Sequence, residues 1–291
     1  MSWSFEEVSR NVHVLRVRLR GAGDEQYILL QSDVHWDNPH CDRALLKRHL
    51  DLALKRNAPV FDAGDFFCAM QGKYDPRSSK NDIRPEHQTS NYLDALVSTA
   101  ADYFSPYRNI LTLRGRGNHE TSIGKRHETD LTERLAERLR AAGSPARAGG
   151  YGGFVRIHCA FNHSKKQSTG TTKSFVYHYY HGSGGGGPVT RGVIQTNRMS
   201  VYLAECDIVH SGHTHDSWQM PIARVKLNNR DKIEHSRITF VRTPGYKEEY
   251  GDGASGWHIE RGGPPKPVGA AWLRIYADTY DSFDYELIEA K

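Results

Sequence analysis

Apolar and polar positions alternate at the start of the chain. Val12, Val14, Leu15, Val17 and Leu19 predict a half-buried strand over 12–19, stopped by the turn Gly21-Ala22-Gly23. A second strand over 27–30 runs into Gln31-Ser32-Asp33-Val34-His35. Asn38-Pro39 has the form of a helix N-cap with proline in the first turn. Leu45, Leu46, Leu50, Leu52 and Leu54 continue that helix to Asn57-Ala58-Pro59. Val60-Phe61 closes on Asp62-Ala63-Gly64-Asp65, and a helical pattern over 89–103 leads to a buried strand at 110–113, which closes on Gly117-Asn118-His119-Glu120. Leu131, Leu135 and Leu139 mark one face of a helix that Gly143-Ser144-Pro145 ends.

Strand and helix therefore alternate in the first half, which predicts an α/β fold, with polar clusters at the C-terminal ends of strands where ligands collect in open sheets. The second half reads as strands over 154–161, 175–180, 207–209, 222–227, 237–241 and 271–276, with a helix over 190–203. Segments 164–172 and 251–267 read as exposed loops, and 182–187 as a glycine-rich loop, a flexible lid rather than a phosphate cradle because it lacks the Lys-Ser/Thr of a P-loop. None of the breaks has the composition of a linker, so 1–291 is expected to form a single domain.

Composition narrows the class. With 291 residues, 37% hydrophobic and 25% charged, the chain can bury a substantial core without disulfide staples. The longest apolar runs fall far short of the roughly 20 residues of a membrane span. The acidic, polar N-terminus has no signal-peptide core, so the expectation is a cytoplasmic protein that does not engage membranes. Cys41, Cys68, Cys159 and Cys206 are scattered and are expected to be reduced and mostly buried. A net charge of +5 permits an anionic substrate without demanding one, whereas 16 histidines call for an explanation.

Five polar clusters follow strands in a fixed order: Asp33-Val34-His35, Gly64-Asp65, Gly117-Asn118-His119-Glu120, His181-Gly182 and Gly212-His213-Thr214-His215. On an extended segment, the i, i+2 spacing of Asp33/His35 and of His213/His215 would turn both side chains to one side and offer two ligands from one rigid element. Carboxylate, imidazole and amide oxygen together suit Mn²⁺, Fe or Zn²⁺ and do not suit a thiolate zinc site or an all-oxygen Ca²⁺ site. Seven candidate ligands, Asp33, His35, Asp65, Asn118, His181, His213 and His215, exceed the needs of one ion. Two ions about 3.5–4 Å apart, sharing a carboxylate, fit better.

In this order and spacing, D-x-H, G-D, G-N-H-E, H and G-H-x-H resemble the signature of the calcineurin-like metallophosphoesterases over residues 33–215. The resemblance implies a four-layer α/β/β/α sandwich with mixed sheets and two divalent metal ions, Mn²⁺ foremost, with Fe, Zn²⁺ or Ni²⁺ as alternatives. It implies that Asp33, His35 and His215 hold the first ion, that Asp65 bridges, and that Asn118, His181 and His213 hold the second. His178 and His163 are alternatives to His181. The implied reaction is phosphodiester or phosphomonoester hydrolysis by a metal-bridging hydroxide, with His119 assisting the leaving group and Glu120 orienting or tuning His119.

The expected partner is a phosphate ester, with nucleotides and nucleic acid among the candidates. A nuclease would need a basic track, for which Lys165-Lys166, Lys125-Arg126 and Arg114 are available. Arg114 or Arg116 could grip a phosphate oxygen, or either could be a surface cation. Trp36, Tyr74 and Tyr151 could stack on a base or aryl group. Asp37 and Asn38 are expected to shape the loop and cap the helix, and His210 and His158 to be structural. Motifs of Ser/Thr protein phosphatases are matched only at 116–120, which makes that activity a lesser alternative. A catalytically silent binding module is another, and intact ligands argue against it. The compact size and the stretch 32–39 are similar to uncharacterised phosphoesterases of phage and bacterial genomes.

Overall fold

The computed structural model describes residues 2–72, 75, 82–162, 171–185, 187, 189–251, 253–254, 257–260, 262–280 and 282–290. Two mixed sheets form its centre. The six-stranded sheet runs β13 (Ser282–Ala290), β12 (Ala270–Thr279), β3 (Glu25–Gln31), β4 (Val60–Asp62), β5 (Leu111–Arg114) and β6 (Arg147–Ala148). Strands β3 to β6 are parallel, and β12 and β13 close one edge antiparallel. The seven-stranded sheet runs β1 (Trp3–Ser9), β2 (Val12–Leu19), β7 (Gly152–Phe161), β8 (Thr172–Tyr180), β9 (Ile208–Ser211), β11 (Ile233–Arg242) and β10 (Trp218–Leu227).

The alternation read in β2 is what joins the sheets. Leu15, Val17 and Leu19 face inward and are buried, and Arg16 and Arg18 face outward. Aromatic pairs cross the interface: Phe61 meets Tyr177 with ring centroids 5.2 Å apart, and Phe175 meets Tyr285 at the same separation. On the far face of the six-stranded sheet, α1 (Arg43–Lys55), α2 (Tyr92–Phe104) and α4 (Leu131–Ala141) add Leu46, Leu50, Leu96, Phe104, Leu135 and Leu139 to one continuous core. Each such side chain, fully buried, stabilises the fold by about 1.5–3 kcal/mol before the cost of ordering it. On the far face of the other sheet, α5 (Val193–Tyr202) packs Met199 with Leu203, Val209, Ile238 and Phe240. Two mixed sheets with helices packed on them make a mixed α/β fold, consistent with the fold class expected from the sequence.

Several local expectations change. Helix α1 starts at Arg43, capped by Asp42, whose carboxylate accepts from Leu45 N at 2.8 Å. Asn38 instead accepts from His40 N at 2.9 Å in a local turn. Strands β1, β6 and β13, helix α3 (Asn118–His127) and the short α6 (Trp257–Glu260) were not expected. Segment 251–267, read as an exposed loop, contains α6 and ends with Lys266 paired to Asp216 at 2.7 Å. All four cysteines are buried, and none forms a disulfide. No described helix is long and apolar enough to cross a membrane.

Candidate metal centre

The candidate ligands lie just past strand ends: Asp33 and His35 after β3, Asp65 after β4, Asn118 after β5, His181 after β8, and His213 and His215 after β9. The backbone delivers them in a way that period-two reasoning did not foresee. Asp33, His35, Asp65, His213 and His215 all have positive φ, between 47° and 73°, so neither pair sits on an extended strand. The left-handed turns on either side of buried Val34 and of Thr214 make the paired side chains converge. Such conformations cost about 1–3 kcal/mol each in non-glycine residues and persist where the surroundings impose them.

Glycine permits the close approach. A Cβ on Gly117 would lie 2.0 Å from Asp65 Oδ1, and one on Gly212 would lie 2.2 Å from Asp33 Oδ2. Glu120 is buried and accepts three backbone N–H groups, from Phe67 at 2.8 Å, Gly117 at 2.9 Å and Asp65 at 3.2 Å. These contacts make Glu120 the clamp that ties the 64–67 turn to the start of α3.

Two groups of ligand atoms result. Asp33, His35 and His215 form one, and Asp65, His181 and His213 the other, the atoms of each lying within 4.8 Å of one another. Asn118 Oδ1 joins the second, 2.8 Å from His213 Nδ1 and 3.1 Å from His181 Nε2. His181 Nδ1 donates to the Ala63 carbonyl at 3.1 Å, which turns Nε2 toward Asp65 Oδ2, also at 3.1 Å. In the first group His35 Nε2 and His215 Nε2 are 3.4 Å apart, and His215 Nε2 is 3.5 Å from Asp33 Oδ1. Asp33 Oδ1 and His35 Nδ1 are buried with no hydrogen-bond partner. A buried carboxylate oxygen without a donor, set among imidazole nitrogens able to present lone pairs, is what a cation site requires, so these residues fit two divalent ions.

The electrostatics agree. Burial pushes Asp33 up to about 7. Burial, with the neighbouring imidazoles of His119 and His215, holds His35 well below the ordinary range; burial and Lys247 do the same for His215, so both rings are neutral, as ligation requires. Burial works against charge on His181 too, but Asp65, Asp33 and Glu120 outweigh it and raise that imidazole to about 9. This end of the cleft favours positive charge.

His119 is held from both sides. Its main-chain N donates to Asp65 Oδ1 at 2.9 Å, its Nδ1 donates to the Cys68 carbonyl at 2.6 Å, and Nε2 lies 3.7 Å from Asp65 Oδ2. Behind the ligands, Tyr177, His210, Thr243 and Ser32 form a buried hydrogen-bonded chain ending beside Asp33. That confirms His210 as a supporting residue.

Other candidates lie elsewhere. Arg114 is buried, 3.2 Å from Asp62 and stacked on Phe66, so it is neither a surface cation nor a phosphate grip. Arg116 is paired with Asp130. Trp36 is buried against Tyr103 and Phe104, with Arg43 over its ring, and offers no stacking platform. Tyr151 donates to the Gly182 carbonyl at 2.6 Å and packs its ring edge-on against His181. His178 packs on Phe154, away from both groups. His158 bonds Ser174 on the strand. Asp37 accepts from Cys68 N and Ala69 N and so shapes the loop. His163, Tyr74 and Lys165-Lys166 lie outside the described residues.

Sequence reasoning missed Lys247. Tyr246 N donates to the Asp33 carbonyl at 3.0 Å, which brings the following residue to the rim, and the Lys247 ammonium pairs with the largely buried Glu249, as does His258 at 3.4 Å. No motif marks these residues; only the tertiary return of 243–249 past Asp33 makes them neighbours.

No family model matches the chain, and no curated protein matches it. Among solved structures, it is similar to a conserved uncharacterised protein from Streptococcus pneumoniae described as a predicted phosphoesterase, with 13% identity over 92% of each chain and a TM-score of 0.33.

Proposed function

We propose that this chain is a metal-dependent phosphoesterase with a dinuclear centre. The observation that supports it is the pair of adjoining ligand groups at the strand ends, Asp33/His35/His215 and Asp65/His181/His213, with Asn118 joining the second. In this reading Asp65 would help hold both ions. Two divalent ions there would supply Lewis acidity, acidifying a water near neutral pH and offsetting charge on the phosphoryl oxygens.

The residues of the chain do the rest. His119 keeps its Nδ1–H on the Cys68 carbonyl, so Nε2 faces the cleft and gives a proton to the departing oxygen. That nitrogen lies 3.7 Å from Asp65 Oδ2. Glu120 fixes the turn that carries Asp65, and the Tyr177-His210-Thr243-Ser32 chain fixes the loop that carries Asp33. The substrate is a phosphate monoester or diester, with nucleotides included. A nuclease reading loses Arg114 from its basic track, because that guanidinium is buried on Asp62.

The test is a substrate panel with metal analysis. Reconstitution with Mn²⁺ should give two ions per chain and turnover of a bis-aryl phosphodiester, an aryl phosphomonoester or a cyclic nucleotide. Single- and double-stranded DNA complete the panel and separate the nuclease reading. A protein that takes up no metal, or takes it up and hydrolyses no ester, would refute the proposal.

A further inference from the structure

A third group of ligand atoms overlaps the centre. His35, Cys68 and His119 bring one nitrogen, one sulfur and one nitrogen within 4.8 Å of one another, and Cys68 is the only thiol in any such group among the described residues. The loop fixes the sulfur: Cys68 N donates to Asp37 Oδ1 at 2.6 Å, and the Cys68 carbonyl accepts from His119 Nδ1 at 2.6 Å. That second bond leaves His119 Nε2 as the ring's ligand atom. His35 is buried, and its Nδ1 has no hydrogen-bond partner. Asn38 Nδ2 approaches Cys68 Sγ at 3.5 Å, the kind of donor that stabilises a thiolate.

We infer that His35, Cys68 and His119 form a separate binding site for a thiophilic divalent cation, of the Zn²⁺, Co²⁺ or Cd²⁺ class, exclusive of the proposed dinuclear centre. Two imidazoles and a thiolate are a donor set that Zn²⁺ and Co²⁺ accept readily and that Mn²⁺ and Mg²⁺ do not prefer. On binding, the thiol proton leaves to solvent and the sulfur bonds the ion. Because the site takes His35 from the first ligand group and the Nε2 of His119, its occupation switches hydrolysis off. That consequence rests on the proposed function, whereas the binding does not.

Titration of the metal-free protein with Co²⁺ reads the sulfur directly, through the near-ultraviolet thiolate-to-cobalt charge-transfer band. The expected result is a band that saturates with one Co²⁺ per chain at this site, is lost in Cys68→Ser, and is weakened and shifted in His119→Ala, which keeps the thiol. No band in the unmodified protein, or a band that survives Cys68→Ser, would overturn the inference, whether or not the protein hydrolyses any ester. In the Mn²⁺-loaded protein, equimolar Zn²⁺ should lower turnover at least tenfold, and Cys68→Ser should relieve that inhibition. Equal Zn²⁺ inhibition of both proteins would overturn the switch.

Discussion

At the scale of single residues, His119 is the sharpest point of the proposal. Its Nδ1–H is committed to a carbonyl, so the ring can act only through Nε2. His119→Ala should lower kcat by about 10²–10⁴ on an alkyl-leaving-group ester, and by much less on a nitrophenyl ester, whose leaving group needs no proton. Equal losses on both substrates would assign the ring to binding instead. Asp65→Asn should empty both halves of the centre, read as metal content per chain; loss of one ion alone would mean that Asp65 does not bridge. The candidate ligands were legible in the sequence because each is a distinctive side chain beside a strand-ending signal. Their means of convergence was not, because a positive φ at Asp33 or His215 is imposed by neighbours remote in the chain. Lys247 and Glu249 were illegible for the same reason.

Elements show the same division. Strands with inward apolar rows, such as β2 and β7, were readable from alternation. Edge strands were not: β1 buries only Trp3 and Phe5, and β13 alternates mixed side chains against a single neighbour, β12. Helix α3 was hidden because its buried positions are few, Glu120 and Ile123, and one is a carboxylate. That carboxylate belongs to the element more than to the chemistry. Glu120→Ala leaves the amides of Asp65, Phe67 and Gly117 without their acceptor, and the expected loss of stability is about 2–4 kcal/mol. The loss should appear as a lower Tm together with faster hydrogen exchange at those three amides. Glu120→Gln keeps one acceptor oxygen and should recover part of both. Undisturbed exchange at Asp65 and Phe67 in the alanine variant would remove the clamp role.

Across the whole molecule, stability depends on the seam between the two sheets, and the order in which strands join each sheet could not be read from local pattern. Strand β2 pairs with β7, which lies more than a hundred residues later in the chain, and β3 pairs with β12. That pairing buries His13, which faces inward beside Leu15, stacks on Phe5 with ring centroids 5.3 Å apart, and has no hydrogen-bond partner on either nitrogen. Burial, with Arg147 nearby, lowers this imidazole from 6.5 to about 4. Between those values the unfolded chain binds a proton that the folded chain refuses, so acid favours unfolding. Stability from this group is complete above pH 6.5 and is lost as the pH falls toward 4. Urea melts at pH 7 and pH 4.5 should therefore differ more in the native protein than in His13→Phe, by about 2–3 kcal/mol. Phenylalanine keeps the ring against Phe5 and carries no charge, so the comparison isolates the imidazole from other titrating groups. If both proteins lost the same stability between the two pH values, His13 would be protonated within the fold and the seam would tolerate its charge.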